Sequence, residues 1–229
     1  MSIFNRIFGT RSHDNERGTN EADIFVGKRG NDEFVGYNGD DFIFGGRGDD
    51  RLIGGRGDDL VAGGRGNDYV SGGLDNDWLF GGSGDDFIID YSGNNFISGG
   101  RGNDTIVVGD GHNVLAGGFG SDTFVLTNRY AVGAADEPVS TNDIEIKAEI
   151  LDFNIFQDKI VLDLGLDTNN DNARDSFATS QADFDISYNA QGWAVISSDE
   201  YNIELTLNGI NSSYMSYAEN NNIDIFSFS

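Results

Sequence analysis

Apolar and polar positions recur with a period of nine from Gly18 to Val125. Cut in nines, this stretch gives twelve units without a gap: GTNEADIFV, GKRGNDEFV, GYNGDDFIF, GGRGDDRLI, GGRGDDLVA, GGRGNDYVS, GGLDNDWLF, GGSGDDFII, DYSGNNFIS, GGRGNDTIV, VGDGHNVLA and GGFGSDTFV. Position 8 is apolar in all twelve: Phe25, Phe34, Ile43, Leu52, Val61, Val70, Leu79, Ile88, Ile97, Ile106, Leu115 and Phe124. Position 6 is Asp in ten units and Asn in two, Asn95 and Asn113. Of the chain's 33 glycines, 28 lie here, mostly at positions 1, 2 and 4. Glycine there permits positive φ and close backbone approach. Positions 7 to 9 are rich in β-formers. Each unit therefore reads as a six-residue turn followed by a three-residue strand. Successive strand side chains point to opposite faces, so position 8 points inward while 7 and 9 point outward. Two units make an 18-residue coil with two strands and two turns. Stacked coils form two parallel sheets around the position-8 column, roughly 29 Å long at ~4.8 Å per coil.

Charge changes this picture. The chain carries 39 acidic and 14 basic side chains, a formal net charge of −25. Phosphate binding needs a basic surface, so nucleic acid is excluded as a partner class. The twelve units alone hold 19 acids against 7 bases. One inward side chain per nine residues is a thin core for so much repulsion. A divalent cation would supply both missing terms, and all-oxygen ligands favour a hard one, calcium first. There is no Cys, so neither disulfides nor thiolate chemistry apply. The N-terminal MSIFNRIFGTRSHDNE lacks the apolar stretch of a secretory signal peptide, and no apolar run is long enough to span a membrane.

In register over Gly18–Val125, the units match G-G-x-G-x-D-x-U-x and resemble the RTX (repeats-in-toxin) calcium-binding nonapeptide family. The resemblance implies an all-β fold: a right-handed parallel β-roll with a β-rich C-terminal cap. It also implies Ca²⁺ between turns 18 residues apart. Carbonyls of positions 2 and 4 and the Asp of one turn face carbonyls of positions 1 and 3 and the Asp of the next. Carried over to one edge, the sets are Lys28, Gly30 and Asp32 with Gly45, Arg47 and Asp50, then Gly46, Gly48 and Asp50 with Gly63, Arg65 and Asp68. Next come Gly64, Gly66 and Asp68 with Gly81, Ser83 and Asp86, and Gly82, Gly84 and Asp86 with Gly99, Arg101 and Asp104. The last set on that edge is Gly100, Gly102 and Asp104 with Gly117, Phe119 and Asp122. On the other edge, Asp23 meets Gly36, Asn38 and Asp41, while Gly39 and Asp41 meet Gly54, Arg56 and Asp59. Gly55, Gly57 and Asp59 then meet Gly72, Leu74 and Asp77.

The spacing lets the two edges be counted separately. Even-numbered turns supply Asp32, Asp50, Asp68, Asp86, Asp104 and Asp122 without a break, which predicts five ions. Odd-numbered turns supply Asp23, Asp41, Asp59 and Asp77, then Asn95 and Asn113. An Asn amide donates oxygen but no charge, so this edge is expected to hold three ions, a weaker fourth between Asp77 and Asn95, and none beyond. The expected total is about eight.

The register stops after Val125, which divides the chain into an extension (1–17), the roll (18–125) and a C-terminal capping and secretion-signal region (126–229). LDFNIFQDKIVLDL resembles the D-F-x-x-G-x-D-K-I-x-L segment that follows RTX rolls, with Phe156 in place of Gly. In the family this region carries the signal read by type I secretion machinery, so the resemblance implies a secreted, extracellular protein. The tail ENNNIDIFSFS fits that role, and DTNNDNARD is expected to be a solvated loop, since it lacks the Gly and Glu of an EF-hand.

The outward residues of the odd strands are apolar: Ile24, Val26, Phe42, Phe44, Leu60, Trp78, Phe80, Phe96 and Val114. Either a terminal segment covers this face, or a partner or glycan stacks on it. Arg29, Arg47, Arg65 and Arg101 share position 3 and either neutralise nearby Asp or bind an acidic polysaccharide. Only His13 and His112 are present, with no HExxH, GxSxG or Cys nucleophile. The chain therefore reads as non-catalytic. Two function classes follow: a calcium-folded secreted protein with a surface role, or a carbohydrate-binding module resembling the roll modules of alginate epimerases. A homo-oligomer through the aromatic face is a third.

Overall fold

The computed structural model describes residues 5–127, 145–163, 185–198, 203–220 and 226–228. Two sheets carry the strands alternately along the chain. The first runs β1 (Asn5–Phe8), β3 (Asp23–Val26), β5 (Phe42–Arg47), β7 (Leu60–Arg65), β9 (Trp78–Ser83), β11 (Phe96–Arg101), β13 (Gly111–Phe119), β15 (Ile146–Ile150), β19 (Ile203–Leu207), β18 (Ala194–Ser198) and β17 (Asp185–Tyr188). The second runs β2 (Asn15–Arg17), β4 (Glu33–Asn38), β6 (Arg51–Arg56), β8 (Tyr69–Leu74), β10 (Phe87–Asp90), β12 (Thr105–Val108), β14 (Thr123–Thr127), β16 (Lys159–Asp163) and β20 (Phe226–Phe228). Pairing is parallel with an 18-residue offset through the repeats, as in Ile43↔Val61 and Leu52↔Val70. Among the described residues, only β17–β18 and β18–β19 pair antiparallel. The chain is a parallel β-roll.

All twelve position-8 side chains are fully buried between the sheets. Aromatic contacts mark the first and last residues of the repeat column. Phe25 and Phe34 stack at 5.2 Å, and Phe124 meets Phe153 at 6.1 Å. The strands are longer than three residues. In β4 to β9 they run through positions 7–9 and on through positions 1–3 of the next unit. The glycines read as turn residues are thus partly strand. Pairing skips position 1, as in Phe44↔Ala62 followed by Gly46↔Gly64.

The ladder also outruns the nonapeptides. β1 and β2 pair in front of β3 and β4, and β15 and β16 continue behind β13 and β14. Backbone pairing needs alternation, not glycine, so strands without the motif extend the stack. Ile146, Ala148 and Ile150 prolong the inner column, and Ile203, Leu205 and Leu207 prolong it again. A helix, α1 (Ser212–Asn220), interrupts the all-β cap. Asn211 caps it, its Oδ1 accepting from Ser213 and Tyr214 N–H, and Met215 and Ala218 bury its inner face.

Phe42, Phe44 and Trp78 on the odd-strand face remain exposed among the described residues. Phe96 packs against Trp78 at 5.7 Å and Phe80 at 5.9 Å. DTNNDNARD, and the tail apart from Glu219, Asn220 and 226–228, lie outside the described residues.

Candidate metal centre

The position-6 side chains build both edges. All ten Asp in this position are buried, at 0–2% exposure, as are Asn95 and Asn113. Each backbone N–H donates to Oδ1 of the equivalent residue one coil on. The contacts run from Asp32 to Asp50, Asp50 to Asp68, Asp68 to Asp86 and Asp86 to Asp104, at 2.7–2.8 Å. On the odd edge they run from Asp23 to Asp41, Asp41 to Asp59 and Asp59 to Asp77. One carboxylate oxygen per residue is thereby fixed by backbone.

The other oxygen has no such partner. Oδ2 of Asp32, Asp41, Asp50, Asp59, Asp68, Asp77, Asp86, Asp104 and Asp122, and Oδ1 of Asp23, are buried without a hydrogen bond. A buried charge of this kind is costly unless something compensates it. Each orphaned Oδ2 points at a position-1 glycine of its own unit. There, in most units, it meets the position-1 carbonyl of the next coil: Asp50 Oδ2 beside Gly63 O, Asp59 Oδ2 beside Gly72 O, and Asp86 Oδ2 beside Gly99 O. A Cβ on Gly45, Gly54 or Gly81 would fill the space where these oxygens converge. Position-3 carbonyls lie at the same turns and accept from position-4 N–H groups of the preceding coil, as in Gly48 N–H to Arg65 O at 2.8 Å. Their second lone pair stays available. Carboxylate and carbonyl oxygens, buried and converging, are the donor set of a hard cation. Among the described residues no cluster of three or more His, Cys, Asp or Glu side chains forms a site, so carbonyls must supply a large share of any ligand set here.

Electrostatics agree with the orphaned oxygens. Burial, reinforced by the charges of neighbouring coils, raises Asp59 to about 8 and Asp41, Asp50 and Asp86 to about 7, from an ordinary 3.8. Asp68 and Asp104 are raised to about 6, again chiefly by burial.

Several contributing residues were not evident in the sequence. Asp14 heads the even column, its N–H donating to Asp32 Oδ1 at 2.8 Å, and Asp158 ends it, accepting from Asp122 N–H at 3.0 Å. Asp152 accepts from Gly117 and Gly118 N–H, both at 2.9 Å. Asp158 and Asp152 belong to the post-roll segment LDFNIFQDKI, where Phe156 is exposed in the turn and its N–H is held by Asn154 Oδ1. Position 5 forms a second ladder of opposite direction. Asp49 N–H donates back to Asn31 Oδ1, Asn67 to Asp49, Asp85 to Asn67 and Asn103 to Asp85. Each even-edge turn is thus tied forward by position 6 and backward by position 5.

Comparison with known families matches residues 17–52, 53–88 and 89–124 to the RTX calcium-binding nonapeptide repeat. The three matches run on without a gap, so the repeat region is similar to that family along its whole length. Among solved structures, the chain is similar to the R3 subunit of the mannuronan C5-epimerase AlgE6 from Azotobacter vinelandii, at 22% identity and a TM-score of 0.38, covering 62% of this chain and 77% of that one. It is also similar to the extracellular lipase LipA from Serratia marcescens, at 15% identity and a TM-score of 0.33, covering 100% of this chain and 41% of the lipase. The chain thus spans about two-fifths of the lipase's length. Comparison with curated proteins gave no match.

Proposed function

We propose that this is a secreted, non-catalytic calcium-binding protein that folds on meeting calcium outside the cell and acts there through its surface. The observation that carries this reading is the pair of buried Asp columns, each with one oxygen held by backbone and one oxygen free. Bound calcium would supply the positive charge that these oxygens lack. The residues that would hold it are the eight sets named above, five on the even edge and three on the odd. The position-1 glycines keep the sites open, and the position-6 N–H contacts fix where each carboxylate points. Where calcium is scarce, the columns repel and the chain stays unfolded, a form that suits export through a type I channel. Where calcium is plentiful, each ion adds RT ln(1 + [Ca]/Kd) to the folded state. Region 126–229 would cap the open end and carry the export signal.

Circular dichroism against free calcium tests this directly. The chain should pass cooperatively from coil to β-structure, with about eight ions bound by calorimetry at the end point. A chain fully β-structured in chelator at neutral pH would show that calcium does not fold it.

A second reading rests on the arginine column. Arg47 pairs in register with Arg65, both are exposed, and Arg29 is exposed one coil before. This row suits an acidic polysaccharide and would make the roll a carbohydrate-binding module. On an array of acidic glycans, Arg47→Ala with Arg65→Ala should then lose binding by tenfold or more, as two charge-assisted contacts are removed. Absence of binding by the unaltered protein at any calcium level would eliminate this reading.

A further inference from the structure

Two of the twelve units lack glycine at position 1, where Asp90 and Val108 stand instead. The same two units carry Asn at position 6, Asn95 and Asn113. The structure supplies the reason. At every position-1 glycine of the other ten units, a Cβ would collide with Oδ2 of that unit's own Asp. A side chain at position 1 and an inward carboxylate at position 6 therefore exclude each other.

In the Asp90 unit the two positions have exchanged roles. Asn95 keeps the column contact, its Oδ1 accepting from Asp77 N–H at 2.8 Å, while its Nδ2 donates to the Ser92 carbonyl at 3.3 Å. Asp90 is 1% exposed, with Oδ1 accepting from Ser92 N–H at 3.1 Å and Oδ2 from Gly73 N–H at 3.3 Å. The negative charge has moved from position 6 to position 1.

The consequence falls on the preceding coil. Asp77 is fully buried, and its Oδ2 has no hydrogen-bond partner. In the earlier odd-edge sites that oxygen lies beside a carbonyl, as Asp59 Oδ2 beside Gly72 O. Asp77 Oδ2 faces a carboxylate instead, because a Cβ on Gly72 would collide with Oδ2 of both Asp77 and Asp90. Two buried carboxylates aimed at one point need a cation or a shared proton between them. Burial and the charge of Asp90 raise the pKa of Asp77, as expected of a carboxylate without its counter-charge.

We propose that Asp77 and Asp90 together hold a divalent cation between the turns 72–77 and 90–95. The odd column then extends one ion further than its Asp run, with Asp90 replacing the charge that Asn95 lacks. This deepens the calcium-roll reading and rests on it. The column ends there, because Asn95, Val108 and Asn113 offer the next site no carboxylate.

Calcium stoichiometry by calorimetry on chelator-stripped protein tests it, with circular dichroism at saturating calcium to verify folding. Asp90→Asn keeps the shape and removes the charge, and it should bind one ion fewer than the unaltered chain. The double variant Asp90→Gly with Asn95→Asp restores the usual unit and should bind the same number as the unaltered chain. If the Asp77–Asp90 pair shares a proton rather than an ion, Asp90→Asn leaves the count unchanged and the double variant gains one ion. Either result overturns the proposal. Should Asp90→Asn fail to fold, the double variant decides alone, between an equal count and one more. An unaltered chain that binds no calcium overturns the broader reading, and this one with it.

Discussion

In excess chelator, the roll should be more stable at pH 5 than at pH 8. The position-6 Asp residues are raised by burial from 3.8 to values between about 6 and about 8. A group whose pKa is raised by folding favours the folded state most below its unfolded pKa. That contribution is lost as pH climbs through the folded value. Without metal, stability should therefore decay from about pH 4, where the unfolded carboxylates ionise, and level off by about pH 8, once the folded ones have ionised in place. Each unit of pKa shift corresponds to about 1.4 kcal/mol, so the two columns weigh heavily against folding once they are ionised. Saturating calcium should reverse the trend, because protons then compete with the ion for the same oxygens. Urea melts with calcium at both pH values, and far-UV circular dichroism in chelator from pH 5 to pH 8, follow the two trends. Equal β-structure in chelator at pH 5 and pH 8 would mean that the buried carboxylates are compensated without any ion.

Gly84→Ala should cost ~3 kcal/mol or more in calcium-saturated protein. Gly84 has φ +129°, outside the range that side chains tolerate, and a Cβ there would run into the carbonyl of Gly66 on the preceding coil. That carbonyl is also one of the oxygens expected to face calcium. The substitution therefore adds a strained dihedral and a backbone clash, and it displaces a ligand. Gly192→Ala separates these effects. Gly192 has φ +79°, with nothing within 4 Å of its would-be Cβ, so only the dihedral penalty of ~1 kcal/mol remains. Denaturant unfolding of both variants measures the difference. Similar losses for the two would show that the coil-to-coil approach at Gly84 is looser than described.

The core of the repeat region was legible in the sequence, except that Ile89 and Val107 at position 9, read as outward-facing, are buried too. All twelve residues of the position-8 column are buried, because a strict period leaves each of them no other face to occupy. The burial of the position-6 Asp residues went beyond that reading, which placed them in turns. Less legible were residues whose role depends on a neighbour one coil away. Asn31, Asp49 and Asn67 look like solvated turn residues, and only the 18-residue stacking turns them into a ladder. Asp14 and Asp158 join the even column without a nonapeptide around them, so no period marked them. Asp90 stands where ten other units carry Gly, and nothing in its own unit shows that its carboxylate lies against that of Asp77. The glycine pairs were read as turn, yet they pair across coils, since a strand tolerates glycine when its partner carries it too.

The inner column is waisted. It narrows from Phe25 and Phe34 through Ile43 and Leu52 to Val61 and Val70, then widens through Leu79 and Ile88 towards Phe124. A stack of near-identical nines could slide by one coil and satisfy the same backbone contacts, which is the usual weakness of uniform strands. Sliding here would place a phenyl layer where an isobutyl or isopropyl layer fits, or leave a gap, and a lost side chain of that size costs about 2–5 kcal/mol. Before Asp90 the glycines and aspartates recur too regularly to tell one coil from the next. Which coil lies on which is instead written in the graded volumes of the residues between the sheets.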